Sequence, residues 1–136
     1  MDPASVKKRI LVVEDNQDLR ELITQMLISQ DYDVLGAKSG EEALDLIRLQ
    51  RFDLILLDQM LPGMSGMGIL KHLRSAKDCQ LKNLPVVMVS AKALIDDIDA
   101  ALLAGASAYL VKPFRSESLK ATINEVFEDQ KNGVQS

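Results

Sequence analysis

At 136 residues, with 47% hydrophobic and 26% charged side chains, the chain has the size and balance of one folded domain with a real core. A formal charge of -4 with no basic block argues against direct nucleic-acid binding or adhesion to an anionic membrane. The single cysteine, Cys79, excludes an intrachain disulfide and points to the reducing cytoplasm, and no apolar run is long enough to span a bilayer.

The first residues, 1–8, lack the apolar stretch of a signal peptide and read as a leader or a cloning remnant. Arg9 to Val13 is a β-branched-rich run ending at Glu14-Asp15, which predicts a first buried strand with two carboxylates at its carboxyl end. Leu19, Leu22, Ile23, Met26 and Leu27 then recur at helical spacing, giving a first helix from near Asn16 to about Gln30. Asp33 to Ala37 is a less hydrophobic strand, expected at an edge. Ser39-Gly40-Glu41-Glu42 fits a capping box for a second helix carrying Ala43, Leu44, Leu46 and Ile47.

Leu54 to Leu57 is unbroken apolar sequence, the pattern of a strand covered on both faces of a parallel sheet. It stops at Asp58, and Pro62-Gly63 follows as a loop. Ser65 is a good N-cap for a third helix with Ile69, Leu70 and Leu73. A polar connection from Ala76 to Asn83 leads to a fourth strand ending at Ser90. The fourth helix is expected from about Ile95 to Ala104, stopped by Gly105. Ala108 to Val111 makes a fifth strand, followed by Lys112-Pro113. Ser116 is expected to cap a fifth helix with Leu119, Ile123, Val126 and Phe127 on its apolar side. From Gln130 the sequence is polar and expected to fray. The domain therefore reads as residues 9–128, with a polar tail over 129–136.

Strands alternating with helices through short connections predict an α/β doubly wound domain, its sheet parallel and its helices on both faces. In such a sheet all carboxyl ends share one edge, where open α/β folds bind their ligands. Glu14 and Asp15, Asp58, Ser90 and Lys112 should gather there. Each alone is an ordinary solvated residue past a strand end. Jointly, three carboxylates repel one another and need a reason to be held together. A hard divalent cation supplies one, since magnesium takes oxygen ligands from one or two carboxylates plus waters and phosphate. Aspartate can accept a phosphoryl group, a lysine can neutralise its oxygens, and a serine can donate to them. A phosphoryl acceptor site on Asp58 is the expectation from the residues.

The segments LVVEDN, LILLDQMLPGMSG, LPVVMVSAK and AGASAYLVKPF, in this order, resemble the receiver domain of two-component response regulators from about Arg9 to Phe127. The resemblance implies a flavodoxin-like sheet of strand order 2-1-3-4-5. It also implies phosphoryl transfer to Asp58 from a phosphohistidine on a sensor histidine kinase or histidine phosphotransfer protein. Mg2+ (or Mn2+) would be held by Asp15, Asp58 and the Met60 backbone carbonyl, with Glu14 acting through water. Ser90 and Lys112 would contact the phosphoryl group, and the Lys112-Pro113 bond would be cis, against about 5–6% for X-Pro bonds in general. Phosphorylation would draw Ser90 inward and let Tyr109 turn in, reshaping the surface of the fourth helix, fifth strand and fifth helix for an output protein or domain, or for a homodimer. A plainer reading of Tyr109 is an edge-strand aromatic packed on the fifth helix.

Departures from the commonest pattern stand out: Glu14 for aspartate, Ser65 for aspartate, and Gln59, Met60 and Lys92 lining the mouth of the site. Met60 also weighs against the main rival, an aspartate-nucleophile phosphohydrolase, because its side chain cannot move a proton where those enzymes keep a second acid. A nucleotide- or flavin-binding protein would need a glycine-rich loop after the first strand, which Glu14-Asp15-Asn16-Gln17 does not provide. A receiver-like interaction module that is never phosphorylated is the remaining alternative. His72, the only histidine, is read as a solvent-facing helix residue, and Cys79 as an unengaged thiol. With no output domain following the last helix, the expectation is either a single-domain regulator or a receiver from a longer protein.

Overall fold

The structure is a computed structural model that describes residues 7–131; the expected leader from Met1 and the tail beyond residue 131 lie outside these, apart from the leader's last two residues. Five strands form one parallel sheet: β1 (Arg9–Val13), β2 (Asp33–Ala37), β3 (Leu54–Asp58), β4 (Val86–Ser90) and β5 (Ala108–Val111), in the order β2-β1-β3-β4-β5. The expected order is the one found. The register aligns the strand ends, with Val13 opposite both Ala37 and Leu57, Asp58 opposite Val89, and Ser90 opposite Val111.

Because successive side chains of a strand point to opposite faces, each central strand feeds two cores. Leu11, Val13, Ile55, Leu57, Val86 and Met88 pack on one face against α2 (Gly40–Leu49), α3 (Gly66–Arg74) and α5 (Ile95–Leu103). Ile10, Val12, Leu54, Leu56, Val87 and Val89 pack on the other against α1 (Gln17–Ile28) and α6 (Ser116–Lys131). All five residues of β3 and of β4 are buried, as the unbroken apolar runs require. The partly exposed β2 is an edge.

Side-chain caps start three of the long helices where the sequence places them. Asn16 accepts from the Leu19 N–H, Ser39 from Glu42 and Ser65 from Gly68. The Glu42 carboxylate makes no reciprocal bond among the described residues, so the capping box is half formed. Gly105, at φ +110°, ends α5 in the left-handed region, its N–H donating to the Leu102 carbonyl.

Three expectations are corrected. The polar connection contains one helical turn, α4 (Cys79–Lys82), capped by Asp78, whose Oδ1 accepts from the Gln80 N–H at 2.8 Å. The predicted fourth and fifth helices are therefore α5 and α6. Ser116 lies inside α6 as its first residue, and the opening bond runs from the Leu119 N–H to the Arg115 carbonyl. That helix also runs through Gln130 to Lys131, into the stretch expected as polar tail. A four-residue turn shows no helical period in sequence, and a helix already packed through Leu119, Ile123 and Val126 propagates into its exposed polar end at little further cost.

Candidate phosphoryl-acceptor site

β1 and β3 are adjacent, so their carboxyl ends bring Glu14 and Asp15 beside Asp58, and one carboxylate oxygen from each lies within 4.8 Å of the others. Glu14 and Asp58 are 3% and 4% exposed, a setting in which unpaired carboxylates would be costly. Asp15 is exposed at the mouth. Lys112, delivered by the end of β5, reaches across: its Nζ is 2.8 Å from Glu14 Oε1 and 3.1 Å from Asp58 Oδ2. The Lys112-Pro113 bond is cis, as the resemblance implies.

Backbone donors complete the arrangement. The Met60 N–H donates to Asp58 Oδ1 at 3.1 Å, and the Asn16 N–H to Glu14 Oε2 at 3.1 Å. Arg20 returns from α1 to the Glu14 carbonyl at 2.8 Å, tying the loop after β1 to the helix that follows. Ser90 is buried at the end of β4, its Oγ accepting from the Lys92 N–H at 3.0 Å.

Burial pushes the Glu14 carboxyl pKa up; the Lys112 and Asn16 bonds only partly offset this, and the negative charge of Asp58 adds to the rise. Burial alone would lower the Lys112 pKa, but its bonds to Glu14 and Asp58 prevail and raise it. The site is thus a lysine-bridged pair of buried acids with a third acid at its edge. Such a donor set fits a hard divalent cation: all oxygens, clustered, and with one bridging ammonium against three carboxylates.

Every residue predicted at the site from strands one, three, four and five reaches this edge. Tyr109 is placed differently from its plainer reading. It faces α2, α3 and α5, not α6, and its hydroxyl lies 2.8 Å from the Lys92 carbonyl oxygen and 3.2 Å from Gln59 Oε1. His72 and Cys79 are exposed, as expected.

Sequence reasoning missed Gly66. A Cβ there would stand 2.5 Å from the Asp58 carbonyl oxygen and 2.8 Å from Gln59 Cα, so only glycine lets the start of α3 close on the end of β3. The Gly66 N–H donates to the Gln59 carbonyl at 3.0 Å across that contact. A glycine directly after an N-cap serine was the available signal.

A parallel sheet of this order with acids, hydroxyl and lysine at its carboxyl edge defines a receiver-type α/β domain. The family model described as the response regulator receiver domain matches residues 10–124. The chain is 39% identical over 115 residues to the uncharacterized transcriptional regulatory protein YrkP of Bacillus subtilis, covering 85% of this chain and 47% of that protein. Among solved structures, chemotaxis response regulator CheY4 of Vibrio cholerae superposes with TM-score 0.83 at 30% identity, covering 89% of this chain and 99% of that one. The receiver domain of sensor histidine kinase PA1611 from Pseudomonas aeruginosa gives TM-score 0.79 at 32% identity, covering 88% and 97%, with a magnesium ion in its active site cleft. The chain belongs to the response regulator receiver domain family, and so to two-component signal transduction. It spans about half the length of the curated relatives it matches. Among the described residues no helix is long and apolar enough to cross a membrane.

Proposed function

We propose that this domain takes a phosphoryl group onto Asp58 from a phosphohistidine of a sensor kinase or phosphotransfer protein in the cytoplasm. An Asp58 carboxylate oxygen forms the new bond to phosphorus. The phosphorus–nitrogen bond to the donor imidazole breaks, and its electron pair stays on the ring nitrogen, which is reprotonated by solvent. The observation that carries this reading is the lysine-bridged pair of buried acids, Glu14 and Asp58, with Asp15 beside them.

Asp15, Asp58 and the Met60 carbonyl would hold Mg2+ or Mn2+ directly and Glu14 through water; the ion neutralises phosphoryl charge when bound. Lys112 leaves its carboxylate partners in part to meet a phosphoryl oxygen, and the Ser90 hydroxyl donates to another. The domain promotes only its own phosphorylation and dephosphorylation. Met60 is 64% exposed and has no group to activate water, which favours a held phosphoryl group over a hydrolase cycle.

The output surface is α5–β5–α6, for a downstream protein, an attached domain or a second copy. Leu94, Ile95 and Leu103, at 73%, 75% and 89% exposure, leave apolar area open on or next to α5. The test is incubation with magnesium and acetyl phosphate followed by intact-mass measurement. A single phosphoryl adduct, lost in Asp58→Asn and on adding a chelator, is expected. No adduct on the wild type would leave the non-phosphorylated module as the better reading. Continuous phosphate release from many esters would favour the hydrolase.

A further inference from the structure

Gln59, one residue beyond Asp58, is fixed along its backbone on both sides. Its N–H donates to the Val89 carbonyl at 2.9 Å, and its carbonyl accepts from the Gly66 N–H at 3.0 Å. Only the side chain is left free, and it meets the Tyr109 hydroxyl at 3.2 Å. That hydroxyl is also 2.8 Å from the Lys92 carbonyl oxygen.

A phenol has one proton and cannot donate to two oxygens at once. The shorter contact, to Lys92, takes the proton. The Gln59 amide then satisfies the phenol oxygen by presenting Nε2, an orientation of the same shape with nitrogen and oxygen exchanged. As placed, the Tyr109 hydroxyl faces Gln59 Oε1; with the amide turned over, Gln59 Nε2 would donate to Tyr109, while Tyr109 donates to the Lys92 carbonyl and the Lys92 N–H donates to Ser90 Oγ at 3.0 Å. The relay starts beside Asp58 on β3, crosses to β5, and returns to the end of β4.

We infer that Gln59 is a positioning residue whose amide pins the Tyr109 ring at the site in the resting protein and, through Lys92, holds the loop that carries Ser90. The ring is thereby placed before any phosphoryl group arrives, so a phosphoryl group gains less from moving it. The purpose of a held Ser90 rests on the Asp58 reading, but the hold itself does not.

The chain has two tyrosines, so a Tyr32→Phe background labelled with 3-fluorotyrosine reports on Tyr109 alone. The unphosphorylated protein should give a fluorine resonance shielded from a soluble paramagnetic agent. Gln59→Leu keeps bulk and removes the amide. It should shift the inward-to-outward balance about fivefold, the loss of one ordinary hydrogen bond, and speed amide exchange at Lys92 by a similar factor. Gln59→Glu separates the amide from packing. Its carboxylate keeps the shape without the Nε2 donor and should show the displaced resonance at neutral pH. An unmoved resonance in Gln59→Leu, or a wild-type spectrum of Gln59→Glu at neutral pH, overturns the proposal. Unchanged exchange at Lys92 overturns the link to Ser90. Because no phosphate is present, failure of Asp58 to take up a phosphoryl group is a separate result.

Discussion

Lys112 stands between two almost fully buried carboxylates, and among the described residues no other basic side chain bonds to them. Lys112→Met keeps the length and removes the charge, leaving both acids unpaired. Breaking a buried pair in this way costs about 3–5 kcal/mol, seen as a lower urea midpoint, and added magnesium should recover part of it. Glu14 makes a second prediction at this scale. Burial raises its pKa, so the folded chain holds that proton more tightly than the unfolded one does. Its contribution to stability is greatest below the unfolded pKa, falls as pH rises toward the folded value, and is flat beyond. Urea midpoints of the metal-free protein from about pH 4 to about pH 7 should show this fall, and Glu14→Gln should remove it. Lys112 acts in the opposite range: its raised pKa gives stability present at neutral pH and lost only in alkali, as pH passes the folded value.

Among the elements, the contact of α3 with the end of β3 sets where Asp58 and Gln59 sit. Gly66→Ala would drive a methyl into backbone at 2.5 Å, and backbone cannot rotate away as a side chain can. The expected cost is about 1–3 kcal/mol, with slower phosphoryl uptake because the Asp58 peptide must shift. Thermal unfolding and timed intact-mass measurement check the two effects. The caps Ser39 and Ser65 were legible because each acts within three residues along the chain. The turn α4 was not, since its Asp78 cap is followed by too few residues to show a period, and Leu81 packs on the core only once β4 is in place.

For the whole molecule, a cation held by the acid cluster as proposed would make stability depend on its concentration. Magnesium at about a hundred times its dissociation constant should add about 2.7 kcal/mol. Asp15→Asn alters an exposed residue, so it should leave the metal-free midpoint nearly unchanged and lose most of that increment. Equal magnesium stabilisation of both proteins would remove Asp15 from the ligand set.

The amino-acid sequence by itself determined the alternation of strands and helices, the buried central strands, and which chemical groups reach the carboxyl edge. These follow from periodicity, capping and the side-to-side alignment of parallel strands, all of which operate over short stretches. Tertiary structure alone decided the bridging of Glu14 and Asp58 by Lys112, the closure at Gly66, and the contact between Gln59 and Tyr109. Those contacts join residues 98, 54 and 50 positions apart, or turn on a gap smaller than one methyl group. Distances of that kind exist only after both cores have packed and set the heights of neighbouring strand ends.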